Sequence, residues 1–386
     1  VKYMVQNTIG AKWLETYPDS SLREQMEFYV EPAEQTDAVK SKLNEITPTS
    51  LNPEELTLMD PACGSGHILV EAYEIFKAIY LEQGYQRSEI PELIFTHNIY
   101  GLDICPRAVQ LSIFSLLMKG REDNRNLLDK EIKFNVKVIE DSNNFNEEEL
   151  LQQIKIKNIS FNQTDLNDFK KLFENAKIFG SLIQIPQKIS KQLAILKDIT
   201  DVRSENLFVS KNLYKLKILI QQASLLARRY DIVIANPPYL GGKAMNSKLK
   251  EFSNKNYPLT KSDLYSMFIE RYINSVKKGG TSAFVTPFTW MFLATHISFR
   301  KLLFKNRSII NLVKPSYTSF FESAIVPLVS FVIFDNVENF LGNYVGLGYL
   351  GRGDEQKNRF LSALEGSNEF PFYQAKAEDF NKIIGS

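Results

Sequence analysis

Apolar residues at Met4, Val5, Ile9, Trp13 and Leu14 recur at helical spacing, so the chain is expected to open on a helix, followed by a polar stretch punctuated by Pro32, Pro48 and Pro53. The sharpest local pattern comes next. Residues 56–59 are an apolar run suited to a buried strand, residues 60–66 (DPACGSG) make a tight turn of small residues, and residues 67–80 carry the periodicity of an amphipathic helix. A second strand is predicted over 98–102, ending at Asp103, with a helix over 108–118, and a third strand over 136–139 ahead of Glu140 and Asp141. From 145 to 226 the texture changes to Lys, Gln, Asn and Ile at helical spacing, which predicts a helical insertion. Strand patterning resumes at 231–235 and runs into Asn236, Pro237, Pro238 and Tyr239. A helix over 263–276 leads through Gly279 and Gly280 into a strand at 282–286, and residues 328–334 form a late apolar run. Strands alternating with helices in this way predict an α/β fold built on a doubly wound sheet.

Composition narrows the class. A chain of 386 residues can bury a core of normal proportions, as one large domain or a domain with a lobe. Two cysteines and three histidines exclude a disulfide framework and a cysteine-rich metal site, so no metal and a reducing, cytoplasmic setting are expected. No run approaches the roughly 18 apolar residues that span a bilayer, and the opening residues lack the sections of a signal peptide. A soluble protein without a membrane partner is the expectation. The opening Val1 and the closing Ile-Ile-Gly-Ser suggest a piece of a longer protein.

Charge adds a second constraint. The net charge of +1 hides an asymmetry, with 14 basic and 26 acidic side chains in residues 1–150 against 32 and 19 in the remainder. A basic second half attracts a polyanion such as nucleic acid; lysines that merely solvate helix faces would give the same count.

Two motifs carry the candidate chemistry. In the turn Asp60, Pro61, Ala62, Cys63, Gly64, Ser65, Gly66, residues without a Cβ let backbone N–H groups approach a nucleotide-like ligand, yet the third glycine of the dinucleotide pattern is missing. An acidic residue at its start would oppose a pyrophosphate and welcome an ammonium, which favours S-adenosylmethionine over NAD. An ordinary strand-to-helix turn remains the alternative. At the end of the next strand Asp103 can accept two ribose hydroxyls, and Ile104 can cover a face of the adenine; a helix cap is the other reading of Asp103. The second motif is Asn236-Pro237-Pro238-Tyr239. Consecutive prolines fix φ and remove two donors, which holds the Asn236 side chain and the Pro237 carbonyl as two rigid acceptors. Two acceptors aimed at the N–H bonds of a planar amine localise its lone pair for attack on an S-methyl group, and Tyr239 offers a flat face for stacking a base.

The set DPACGSG, GLDICP, NPPY and SDLYSMF, leading to a Gly-Gly pair and VTP, resembles the amino-group DNA methyltransferases with cofactor motifs ahead of the catalytic motif, the gamma order. Among them it is most similar to the adenine-specific enzymes of PglX type from phage-exclusion systems and to the methyltransferase parts of fused restriction-modification enzymes, over about residues 1–335. The resemblance implies a Rossmann-like class I methyltransferase fold with a mixed sheet, S-adenosylmethionine as cofactor, and double-stranded DNA with other restriction or defence proteins as partners. It places the cofactor on Asp60, Pro61, Ala62, Gly64, Ser65 and Gly66, its ribose on Asp103 beside Ile104, and its adenine amino group at Asp141 beside Ser142. A flipped adenine would lie on Asn236, Pro237, Pro238 and Tyr239, with Phe321, or else Phe320, as the second stacking ring.

The implied division is a helical segment 1–55, a cofactor half 56–144, the insertion 145–226, a catalytic half 227–340 and the start of a target-recognition region 341–386. The family's aromatic and threonine-rich segment upstream of VKYMVQN has no counterpart in this sequence. Methylation of RNA or of a protein glutamine amide, and a non-catalytic role in binding DNA or defence proteins, are the alternatives.

Overall fold

A computed structural model describes residues 1–143, 163–200, 207–317, 327–349, 351–366 and 369–382. Its strands are β1 (Leu58–Asp60), β2 (Ile99–Asp103), β3 (Asn135–Val138), β4 (Tyr230–Ala235), β5 (Val276–Pro287), β6 (Arg307–Lys314), β7 (Leu328–Asp335), β8 (Leu341–Gly346) and β9 (Phe372–Lys376). Among the described residues they form one sheet in the order β3-β2-β1-β4-β5-β7-β6-β8-β9. The first five are parallel, while β7 runs against both β5 and β6, so the sheet is mixed. The strand order reverses between β1 and β4, which opens a crevice at the carboxyl ends of the strands there.

Alternation along the strands sorts the core onto two faces. Leu58, Ile99, Val136, Ile232, Ile234 and Ala283 face one layer, while Met59, Tyr100, Leu102, Val233, Ala235 and Phe284 face the other. Both sets are apolar because helices cover both sides, and this is why the strands read as nearly continuous hydrophobic runs. On the first side, the helix His67–Glu82 buries Leu69, Ala72, Tyr73, Phe76, Ile79 and Tyr80 at i, i+3, i+4 spacing, with the N-terminal helical residues Met4, Val5, Ile9 and Trp13 against it. On the second side lie the helices Gln163–Leu172, Leu207–Ala227 and Leu264–Ile273. The first two belong to the stretch read as an insertion. It occupies the connection from β3 to β4, and parallel strands need such a helical crossover.

Several boundaries differ from the sequence reading. The helix expected to run to residue 276 stops at Ile273, and Val276 already pairs with Tyr230 as part of β5. Gly279 takes φ +71° and the register shifts between Tyr230 and Ile232, so the glycine pair makes a bulge inside a long strand rather than a loop before a short one. Strand β6 escaped the pattern because the polar Asn311 interrupts its apolar run; Tyr3 and Asn7 from the N-terminal helix hydrogen-bond that side chain and let it be buried. Strands β8 and β9 extend the same sheet. No helix among the described residues is long and apolar enough to cross a membrane.

Candidate active site

The turn after β1 is built from its backbone. Gly64 and Gly66 adopt φ +53° and +86°, conformations that side chains rarely take. Cys63 N–H donates to the Leu102 carbonyl at 3.0 Å and Gly66 N–H to the Cys63 carbonyl at 2.8 Å, which ties the turn to β2 and starts the helix His67–Glu82. At Gly66 a Cβ would fall 2.4 Å from the Ser112 hydroxyl oxygen. Gly66→Ala therefore combines left-handed strain with a collision, and about 1–3 kcal/mol of lost stability is expected; an unchanged midpoint in thermal or urea unfolding would contradict this.

Two carboxylates organise the turn. Asp60, at the end of β1, is 1% exposed; one of its oxygens accepts the Ala62 N–H at 3.1 Å and the other, Oδ2, is buried with no partner. Burial pushes its carboxyl up to about 8, the Ala62 N–H partly opposing the rise and the nearby Asp103 charge adding to it. Asp103 clamps the turn instead: Oδ2 accepts Gly64 N–H at 2.9 Å and Oδ1 accepts Cys105 N–H at 2.8 Å. Each oxygen keeps a lone pair for a ligand.

A cleft of about 340 Å³ opens at the switch point. Pro61, Ala62, Asp103 and Ile104 form one wall, Asn236 and Pro238 with Leu264 and Phe268 another, and Ile139, Ile178, Phe179, Gly180 and Ser181 the third. Residues of the DPACGSG turn and of the Asn-Pro turn thus meet on one cavity although Pro61 and Asn236 stand 175 positions apart in the chain, and Asp103 and Asn236 133. Gly64, Ser65 and Gly66 are not among the lining residues, nor are Pro237 and Tyr239; Asp60 lies buried behind Pro61 and Ala62, and Ser65 Oγ pairs with His67 Nδ1 at 2.9 Å.

The third wall is what the sequence reading missed. It comes from the stretch between β3 and β4, where Ser181 donates to the Pro61 carbonyl at 2.6 Å, Tyr272 donates to the Ser181 carbonyl at 2.9 Å, and Phe179 stacks on Phe252 at 4.1 Å. Only Gly180 hinted at it in the sequence, and it takes φ +55°.

Asp141 and Ser142 are not brought to this cleft. Asp141 Oδ1 accepts the Lys177 N–H at 2.9 Å, Ser142 is buried with its hydroxyl on the Lys170 carbonyl at 2.6 Å, and both line a separate depression of about 210 Å³. Their polarity is engaged locally, and apolar Ile139, Ile178 and Phe179 stand at the cleft in their place. Phe320 and Phe321 lie outside the described residues.

Strand β4 delivers the Asn-Pro turn. Pro237 is buried, whereas Asn236, Pro238 and Tyr239 are exposed. The Tyr239 hydroxyl lies 2.8 Å from Asn236 Oδ1 and 3.2 Å from the Val285 carbonyl, two alternative acceptors for one proton. Its ring, 39% exposed, meets Tyr265 edge-on at 6.2 Å and 87°. Tyr265 OH in turn lies 3.2 Å from Nε2 of His296, whose pKa burial and the Arg300 charge both lower.

Comparison with known proteins adds lineage to this geometry. A family model described as Eco57I restriction-modification methylase matches residues 97–321. The adenine-specific methyltransferase BrxX of Escherichia coli O9:H4 (strain HS) is 39% identical, over 100% of this chain and 34% of its own length. The adenine-specific methyltransferase PglX of Lacticaseibacillus casei (strain Zhang) is 29% identical, over 100% of this chain and 33% of its own. The chain thus spans about a third of the length of these curated relatives. Among solved structures, the ATP-dependent Type ISP restriction-modification enzyme LlaBIII bound to DNA superposes with a TM-score of 0.50 and 10% identity, over 89% of this chain and 22% of that one, a likeness of fold.

Proposed function

The chain belongs to the Eco57I restriction-modification methylase family, and from that premise we propose that it is the core of a site-specific DNA adenine methyltransferase. It would move a methyl group from S-adenosylmethionine to N6 of an adenine flipped out of double-stranded DNA, in the cytoplasm, within a restriction-modification or phage-defence system and beside that system's other proteins. One observation carries the reading: Asn236 and Pro238, at the end of β4, line the same cleft as Asp103, Pro61 and Ala62.

The residues present fit the cofactor. Asp60 Oδ2 is a buried acceptor without a partner, the natural counterpart of an amino-acid ammonium; Asp103 retains acceptor capacity for ribose hydroxyls; Ile104, Ile139 and Phe179 supply apolar faces for the adenine. When bound, S-adenosylmethionine supplies an electrophilic methyl carbon on a sulfonium.

This chain's own groups handle the amine. Asn236 Oδ1 and the Pro237 carbonyl accept its two N–H bonds, drawing the nitrogen toward tetrahedral geometry and localising its lone pair. To free Asn236 Oδ1, the Tyr239 hydroxyl shifts to the Val285 carbonyl already within its reach. The Tyr239 ring then stacks on the base, which must leave the duplex because N6 is otherwise out of reach.

The test is transfer of labelled methyl to duplex DNA followed by nucleoside analysis. Label in N6-methyladenine is expected, and label confined to RNA, protein or cytosine would reject the substrate. Tyr239→Ala should lose about 1–3 kcal/mol of stacking, read as a roughly 5- to 150-fold fall in the DNA-dependent rate constant with cofactor affinity unchanged.

A further inference from the structure

Past Tyr239 the chain runs through Leu240, Gly241 and Gly242 into residues 243–261, which carry five lysines, Lys243, Lys248, Lys250, Lys255 and Lys261, against the single carboxylate of Glu251. All five lysines are exposed, and among the described residues none forms an ion pair. Their nearest polar contacts are neutral: Lys248 Nζ donates to Asn175 Oδ1 at 2.8 Å and Lys250 Nζ to the Lys243 carbonyl at 3.5 Å. Beside them lies a second groove, of about 480 Å³. Lys250 and Lys261 line it together with the hydroxyls of Ser262, Thr295 and Ser298, and no carboxylate does. Cations and hydroxyl donors without a competing acid make a site for an anionic backbone.

The short segment 262–264 links the groove to the Asn-Pro cleft. Gly242 N–H donates to the Ser262 carbonyl at 2.9 Å, Gly241 pairs with Asp263, and Leu240 N–H reaches Asp263 Oδ1 at 3.2 Å. Ser262 lines the groove and Leu264 the cleft, and the Asp263 between them is extended. Two residues of extended chain span at most about 7 Å, the axial rise of roughly two nucleotides of a duplex at about 3.4 Å each. An anion in the groove would therefore be within a few nucleotides of a base held at Asn236. Base extrusion costs a few kcal/mol, and contacts that fix the strand on either side of the extruded base help to hold it open.

We propose that this groove holds the phosphate backbone of the target strand next to the flipped adenine, with Lys250 and Lys261 as its phosphate contacts. The proposal rests on the DNA-methylation reading. Each phosphate neutralised by a lysine releases counterions, so losing one contact flattens the dependence of log Kobs on log salt by about 1.

The experiment titrates duplex DNA onto the full chain between about 50 and 200 mM salt, alongside calorimetry with S-adenosylmethionine. K250Q/K261Q is expected to flatten the slope by about 2 and to weaken binding alike for different DNA sequences, with cofactor affinity unchanged. K250R/K261R should restore the slope, and Lys133→Gln, an exposed lysine just before the edge strand β3, should leave it unaltered. A slope unmoved by K250Q/K261Q, or moved as much by Lys133→Gln, overturns the groove. If the slope falls as expected in a chain that binds no S-adenosylmethionine, the groove stands and the methyltransferase reading fails; if cofactor binds and methyl is transferred with the slope unmoved, the reverse holds.

Discussion

Asn236→Ala should lower methyl transfer by a factor of at least 10² to 10³ while leaving S-adenosylmethionine binding nearly intact. The magnitude is that of one preorganised hydrogen-bonding group removed from a site where charge develops, about 2.7–4 kcal/mol. The separation of effects follows from the geometry. Asn236 is exposed on the cleft and, among the described residues, its side-chain oxygen is engaged only by the Tyr239 hydroxyl, while the turn after β1 is held by Asp103 and by backbone bonds in which Asn236 takes no part. Truncation therefore removes an acceptor for the amine without loosening the cofactor wall. Single-turnover transfer to duplex DNA beside calorimetry with the cofactor measures both; a variant that keeps its rate would reject the amine geometry.

The second large effect concerns Asp60. Its carboxyl is pushed up to about 8 from an ordinary 3.8, chiefly by burial. A carboxyl raised in the folded state contributes stability that is complete below its unfolded value and is lost as pH rises through the folded one, so this contribution fades between about pH 4 and pH 8. A bound ammonium reverses the preference by favouring the carboxylate. Cofactor binding below pH 8 is therefore expected to release a proton from Asp60, and affinity should rise with pH until that release ceases. Asp60→Asn keeps the shape and the Ala62 contact but cannot ionise. Loss of a hydrogen bond to a charged group, about 1.5–3 kcal/mol, should weaken the cofactor roughly ten- to hundredfold. Titrations in buffers of different ionisation enthalpy give the proton count. Equal proton release by the wild-type chain and Asp60→Asn would place the titrating group elsewhere.

The two motifs could be read from sequence because their chemistry is local. A glycine in a left-handed turn and a proline that fixes φ act through their own backbone, so DPACGSG and the Asn-Pro-Pro-Tyr turn sit at the ends of β1 and β4 as their residue types require. Asp103 likewise follows from its place at the end of β2. The reading at Asp141 and Ser142 depended on where a loop turns after β3, and nothing in the neighbouring residues reveals that Lys177 and Lys170 engage them. The cleft's third wall was hidden for the same reason: Ile178, Phe179 and Ser181 are ordinary residues in a helical stretch until Pro61, Phe252 and Tyr272 are folded against them.

By itself the sequence determined the two apolar faces of the parallel strands, the turns at their carboxyl ends and the residue types able to hold an ammonium, a ribose and a planar amine, since hydrophobic period and backbone restriction are properties of neighbouring residues. The tertiary structure alone decided which of those groups share a cavity. It set the strand order that brings Asp103 to Asn236, closed the cleft with residues 178–181, buried Asp60 far enough to shift its proton, and set a lysine-lined groove beside the segment that follows the Asn-Pro turn. Proximity, burial and electrostatic environment arise from contacts between residues distant in the chain, and local patterning carries no record of them.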